Sequence, residues 1–372
     1  MAVYKIFPTK DASIYSLYPD RNTGLDEILE SSTNVDIAGT AQASRFLVQF
    51  SNDEITDIIN NKISGSTWQA NFRGFIANLE GLNLDTTLEF YPISATWDMG
   101  TGKYSYSPEY TNGVSWTWRS YSGSGAWTTS GFAPYVTASY SSELGGGTWF
   151  TGSANITVLP IYSTQSFAYT DSGDINTDIT NMVKAWYSGT IDNNGLIAKQ
   201  AVEFVNDVDY QIEMKFFSID THTIYPPQLE FKWRDYTFNT GSSTSTILNT
   251  QTATVMLSEN PGVFYTESIN KFRVNARPTY PPRVFQTSSI YTTNYYLPTS
   301  SYYAVKDLDT NEFVIDFDDQ YTQLSADGTS SYFTLYMNGL EPERYYKILI
   351  KSVIDGSTII FDDNYYFKII NG

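Results

Sequence analysis

Apolar and polar residues alternate with a period of two in short runs along this chain, and Gly, Pro, Asn or Asp bounds each run. Successive side chains of a strand point to opposite faces, so this period predicts half-buried β-strands. Such runs cover 3–7, 12–15, 28–31, 46–50, 70–77, 87–93, 154–158, 195–199, 211–217 and 227–232. Others follow at 269–276, 301–308, 313–317, 333–337, 345–353 and 365–370, joined by the turn pairs Asp327-Gly328, Asn338-Gly339 and Asp355-Gly356. Two segments switch to a helical period. Ser51 and Glu54 make a capping box ahead of Ile55, Ile58, Ile59 and Ile63, and Gly65 stops the run. After Asp178, residues Ile179, Met182, Val183 and Trp186 share one helical face up to Gly189. Many short strands with two short amphipathic helices predict an all-β protein. The expected layout is a jelly-roll-like β-sandwich over 1–235 and a smaller immunoglobulin- or fibronectin-like β-sandwich over 258–372. The Ser/Thr-rich, almost uncharged stretch 236–257 reads as the linker between them.

Charge and composition then remove whole classes of function. The 372 residues carry 22 Lys+Arg against 40 Asp+Glu, a net charge of −18, which repels phosphate backbones and leaves nucleic acid without a source of binding energy. Without cysteine there is no disulfide framework, no thiolate nucleophile and no Cys-ligated metal. The lone His222, beside Asp220, lacks a nucleophile elbow or a second activating group and reads as a turn residue, so no enzyme activity is expected. No apolar run is long enough for a membrane helix, and the opening MAVYKIFPTKDASIY has no apolar signal core, so the expectation is synthesis in a cytoplasm without membrane insertion.

Residues 101–153 stand apart as a Gly-, Ser-, Tyr- and Trp-rich insertion holding Trp116, Trp118, Trp127 and Trp149, four of the eight tryptophans. Flat aromatic faces stack on sugar rings, and aromatics are also enriched where proteins dock or cores are filled. The four tryptophans are therefore the candidate contacts for a protein partner or a glycan, with core packing as the alternative. Acidic residues supply the remaining candidates. Asp307, Asp309 and Asn311 follow a calcium-loop spacing with Asp318 at the twelfth position, but Glu312 stands where that loop needs glycine, which favours a hairpin turn. Asp11, Asp26 and Asp192 could converge at a sandwich end. No cofactor is expected, and structural calcium is the one ion these residues allow.

The phrases DASIYSLYPDRNTGLDEILE, LEFYPISATWDMGTG, GVSWTWRS, DITNMVKAWYSGTIDNNGLIAK and YPPQLEFKW resemble a DNRLRE-type β-sandwich domain. The passages YYLPTSSYYAVKDLDTNEFVIDFD and SYFTLYMNGLEPERYYKI are similar to the fibronectin-like end domains of tailed-phage structural proteins. The resemblance implies a virion structural protein of a T4-like phage, in the neck, collar, tail or head decoration. It would work by packing against other virion proteins in a symmetric assembly. The alternative it leaves open is a carbohydrate-binding or adhesion module that contacts host glycans.

Overall fold

The structure, a computed structural model, describes residues 2–80, 85–121, 125–127, 136–138, 145–150, 160–168, 171–207, 211–241, 245–280 and 294–372. It is all-β, with two short helices and curled, mainly antiparallel sheets in a sandwich-like arrangement. The run expected at 154–158 lies outside the described residues. Both helices start where their local signals place them. Ser51 caps Asn52–Asp57 by accepting the Glu54 amide at 3.3 Å, and a π-helical turn over Ile58–Lys62 ends the helix before Ile63. Asp178 accepts the Thr180 amide at 2.8 Å ahead of Thr180–Tyr187, which buries Met182, Val183 and Trp186. Gly189, at φ +69°, then reverses the chain in the left-handed region that few other residues tolerate.

Two compact units divide the chain. The larger comprises 6–62 and 69–230; the smaller comprises 1–5, 63–68 and 231–372. The chain thus passes from one unit to the other at four points, three within the strands Ala2–Ile6, Trp68–Gly74 and Gln228–Trp233 and one directly after the π-helical turn Ile58–Lys62. Residues 236–257, expected as a linker, contribute to the smaller unit. Thr246–Ile247 pairs in parallel with Tyr295–Tyr296, and Ala253–Ser258 runs antiparallel along Ile269–Pro278, with Leu248 and Val255 buried in the core.

The larger unit is built on an eight-stranded sheet ordered Ser163–Phe167, Thr86–Pro92, Leu196–Gln200, Ala41–Phe50, Ile28–Val35, Ile212–Phe217, Ile76–Glu80, with Pro8–Tyr15 also pairing along Ala41–Phe50. The central run Arg45–Phe50 is apolar at nearly every position, which suits a strand covered on both faces. Ala12, Leu47 and Ile197 lie in cross-strand register on one face. Phe46 and Phe50 point the other way, against Phe216 and Phe72.

The smaller unit closes two sheets face to face. One holds Ile269–Pro278 and Ser331–Tyr336; the other runs Val263–Tyr265, Ser357–Ile370, Tyr345–Ile354, Ser301–Asp307, Phe313–Ile315. Their inner faces meet in rings. Phe333 stacks on Tyr303 with centroids 4.3 Å apart, and Phe272 touches Phe333, Phe264 and Phe367. These rings each bury a large apolar area and are joined in the core by aliphatic residues such as Val255, Val274, Leu335 and Ile348.

Candidate tyrosine surface of the larger unit

Three of the four candidate tryptophans are core residues. Trp116, Trp127 and Trp149 are 7%, 1% and 5% exposed and pack with Ala12, Leu47 and Ile197 over one face of the eight-stranded sheet. The described part of the Trp-rich insertion therefore forms a second layer on that face rather than a free loop. Trp127 Nε1 donates to the Ser115 carbonyl at 3.0 Å, so its polar edge is satisfied inside.

The clamp that holds this layer is Arg45, a buried arginine amid the apolar run. Its guanidinium forks onto Glu203, with Nε to Oε1 at 2.9 Å and Nη2 to Oε2 at 2.6 Å, and donates to the Gly146 carbonyl. It also lies over the rings of Trp116 and Trp149, at 4.7 and 5.3 Å from their centroids. Planar guanidinium geometry allows both the bidentate pair and the stacking, which an ammonium could not supply together. Lys199 extends the network by pairing with Glu89 at 2.9 Å.

Outside this layer, the segment 99–114 is tied to the turn 18–26 by backbone bonds, by Arg21 and Asp26, and most centrally by the Asn22 side chain. Asn22 Nδ2 donates to the carbonyls of Met99 and Val114 at 2.7 and 2.8 Å, and its Oδ1 accepts the Gly102 amide at 2.8 Å. The backbones approach so closely that a Cβ at Gly24 would lie 2.0 Å from the Met99 carbonyl oxygen. One at Gly100, at φ +78°, would lie 2.3 Å from Asn22 Oδ1. Only glycine fits at either place.

This knot carries the tyrosines outward. Tyr104, Tyr106, Tyr110 and Tyr121 are 38–47% exposed, and Trp118, the fourth candidate tryptophan, is half-buried among them. Trp118 Nε1 donates to Asp20 at 2.9 Å and its ring meets Tyr121 edge-on at 5.7 Å. Tyr106 and Tyr110 pack at 5.2 Å, and Tyr104 contacts Tyr15 and Tyr18. The Arg21 guanidinium covers Tyr18 at 3.9 Å and Tyr104 at 4.9 Å while pairing with Glu109. Burial, with the neighbouring Tyr18, raises the Tyr104 hydroxyl to about 12, so it remains a hydrogen-bond donor throughout the neutral range. These tyrosines belong to the same Tyr- and Trp-rich insertion, where the run KYSYSPEY supplies Tyr104, Tyr106 and Tyr110, although the sequence reading names only its tryptophans as contacts by residue.

Of the acidic candidates, Asp307 and Asp318 go to different partners. Asp307 is buried, with its carboxylate taken by Arg344 at 2.7 and 2.8 Å and by the amides of Asp309 and Thr310. Those donors and Arg344 hold its carboxyl below the usual range, against the opposing effect of burial. Asp318 turns instead to the amides of Gln320 and Tyr321. Residues 308–312 thus form the turn of a hairpin between the strands Ser301–Asp307 and Phe313–Ile315, in keeping with the glutamate at position 312, and Asp318 opens a separate turn. Asp26 accepts the Tyr104 amide at 3.1 Å, and the Asp192 carbonyl accepts the Asn194 amide. His222 is exposed. Among the described residues, no three His, Cys, Asp or Glu side chains group to hold a metal, and no helix is long and apolar enough to cross a membrane.

No family model matches the chain, and no curated protein matches it in sequence. Structural comparison pairs it with a DUF4785 family protein from Legionella pneumophila at 7% identity and a TM-score of 0.21. The pairing covers 98% of this chain and 66% of the other, just under two thirds of that protein's length. A likeness at that level carries no argument about fold or function.

Proposed function

We propose that this chain is a non-enzymatic structural protein that acts by protein–protein packing, with the tyrosine surface of the larger unit as its docking face. The observation that supports this reading is the set of half-exposed Tyr104, Tyr106, Tyr110 and Tyr121, with Tyr106 packed on Tyr110, Tyr121 on Trp118 and Tyr104 under Arg21. Tyr, Trp and Arg are the residues enriched in the energetic centres of protein interfaces, since each offers large contact area with a polar tip. The rings meet edge-on or tilted, and the Tyr18 and Tyr104 faces are already covered by Arg21. A sugar ring needs an open, flat face, so this packing favours a protein partner over a glycan. The sequence resemblance favours a partner in the virion of a tailed phage, among other subunits of a symmetric assembly.

Replacing Tyr106, Tyr110 and Tyr121 together by Ser tests the proposal in particles assembled with the variant. Their side chains lie outside the core, so the thermal transition should stay within a few degrees of wild type, while incorporation into particles falls at least tenfold. Wild-type incorporation of a folded triple variant would sink the docking reading. Retained incorporation with lost binding to a glycan array would instead favour sugar recognition.

A further inference from the structure

The five-stranded sheet of the smaller unit has an apolar outer face as well as an inner one. Its strands turn Phe264, Phe367, Tyr346, Ile348 and Val305 into the core. The alternate positions point outward, and there Val263, Tyr265, Phe313, Tyr345, Ile360 and Tyr366 are 42–58% exposed. Six large apolar side chains on one sheet face form a patch of the kind that marks association, unlike apolar residues scattered singly over a surface.

Lysines fill the places between them. The registers set Lys368 beside Val263 and Tyr345, Lys347 beside Tyr366 and Lys306, and Lys351 beside Ile360 and Tyr302. Three of the four lie against rings. Lys306 Nζ is 5.0 Å from the Phe313 centroid, Lys368 Nζ 5.8 Å from that of Tyr345, and Lys351 Nζ 5.1 and 4.7 Å from those of Tyr302 and Phe317. The stems thus rest on apolar surface while the ammonium groups face water. Lys347 pairs with Asp362 and Lys368 with Glu343, whereas Lys306 donates to the Asn311 amide oxygen and Lys351 has no carboxylate partner among the described residues. Cations therefore outnumber carboxylates on this face of a chain whose net charge is −18.

That imbalance selects a partner. Two copies of so acidic a molecule repel one another on approach, except where the cations of one meet the carboxylates of the other. The larger unit holds most of the negative charge, with 10 Lys+Arg against 25 Asp+Glu, while the smaller unit has 12 against 15. Exposed Asp20, Glu27, Asp98 and Glu109 border the tyrosine surface, held there by Trp118, Lys103, Ser120 and Arg21 in turn. The cations among them, Arg21, Lys103 and Arg119, are half-buried, so the surface presents carboxylates and tyrosines outward. We infer that the lysine-bearing sheet face of the smaller unit docks on the tyrosine surface of the larger unit of a second copy. The inference rests on the docking reading above and names the partner of that surface. Because two different patches meet, the contact is head-to-tail, and its repetition closes a ring or extends a filament according to the rotation between copies.

Sedimentation velocity of the full chain and two variants tests the inference. One variant, Lys351→Glu with Tyr366→Ser, changes only outward groups of the sheet; the other, Tyr106→Ser with Tyr110→Ser and Tyr121→Ser, changes the opposite patch. The wild-type chain should form growing oligomers as its concentration rises, and each variant alone should self-associate at least tenfold more weakly. Mixed in equal amounts, the two variants should form a heterodimer that grows no further, because the first keeps an intact tyrosine surface and the second an intact sheet face. A wild-type chain that stays monomeric at every soluble concentration overturns the inference. So does a sheet variant that associates like wild type, or a mixture of the two variants that does not pair. The docking reading is judged separately: a sheet variant that enters particles at the wild-type level, where the tyrosine variant does not, overturns this inference and leaves the tyrosine surface with a different protein partner.

Discussion

Asn22 joins three pieces of backbone with one short side chain, through two donor bonds to Met99 and Val114 and an acceptor bond from Gly102. Each carbonyl it serves is buried in a tight crossing, so removing the amide leaves acceptors that water cannot easily reach. Asn22→Ala should therefore cost about 3 kcal/mol, near the upper end for buried polar groups left unpaired. Chemical denaturation would show the loss as a lower midpoint, with Tyr106 and Tyr110 more accessible to iodination in the native state. A change below about 0.5 kcal/mol would mean that the backbone bonds to Tyr110 and Gly102 and the Arg21 and Asp26 contacts hold the segment 99–114 without the amide. Asn22 and Gly24 are visible in the sequence as a turn pair. That they receive a segment some eighty residues away is not, because nothing local encodes the partner.

Among the elements, the strand Ala41–Phe50 shows which features a sequence reveals. Its apolar residues Phe46–Val48 and Phe50 fit coverage on both faces, and the capped helix Asn52–Asp57 follows from Ser51 and Glu54 alone. Arg45 interrupts the apolar run without explanation until Glu203, Gly146 and the two tryptophan rings come round it from distant parts of the chain. For the same reason Trp116, Trp127 and Trp149 could not be told from surface aromatics by composition: Gly-rich surroundings read as loop, while the burial depends on an ion pair made 158 residues apart in sequence. The Ser/Thr-rich stretch 236–257 misled in the opposite sense, because strands at 246–247 and 253–258 pair through their backbones and need few apolar side chains. Arg45→Met keeps the side-chain volume but strands a buried Glu203, which should cost about 3–5 kcal/mol. Adding Glu203→Gln should recover part of that loss, since the uncompensated charge is gone. The measurement is urea unfolding followed by tryptophan emission, and a double variant no more stable than Arg45→Met would show that stacking on Trp116 and Trp149 matters more than the pair.

At the scale of the whole molecule, the four passages between units set the terms for any dissection. Val3 belongs to the core of the smaller unit, Lys5 Nζ donates to the Val314 carbonyl at 3.1 Å, and Tyr4 meets Tyr336 edge-on at 5.6 Å. A fragment cut at 258 loses those contacts and also Leu248, Val255 and the strand Ala253–Ser258. Residues 258–372 should therefore show a broad, low thermal transition or none. A fragment of 231–372 should melt more cooperatively, and a peptide of residues 1–8 supplied in excess should raise its midpoint. A sharp transition for 258–372, equal to that of 231–372, would contradict this account.

The contact between the two ends of the chain has a consequence for the order of events at the ribosome. Asn338 Nδ2 donates to the Lys5 carbonyl at 2.8 Å, a bond between residues 333 apart. Translation adds roughly 5–20 residues per second, so the first strand emerges on the order of tens of seconds before its partner exists. Through that interval the larger unit can gather itself, while the opening residues wait as an unpaired edge. The smaller unit closes only after the strands Tyr345–Ile354 and Ser357–Ile370 have left the exit tunnel, long after every strand of the larger unit is free to pair.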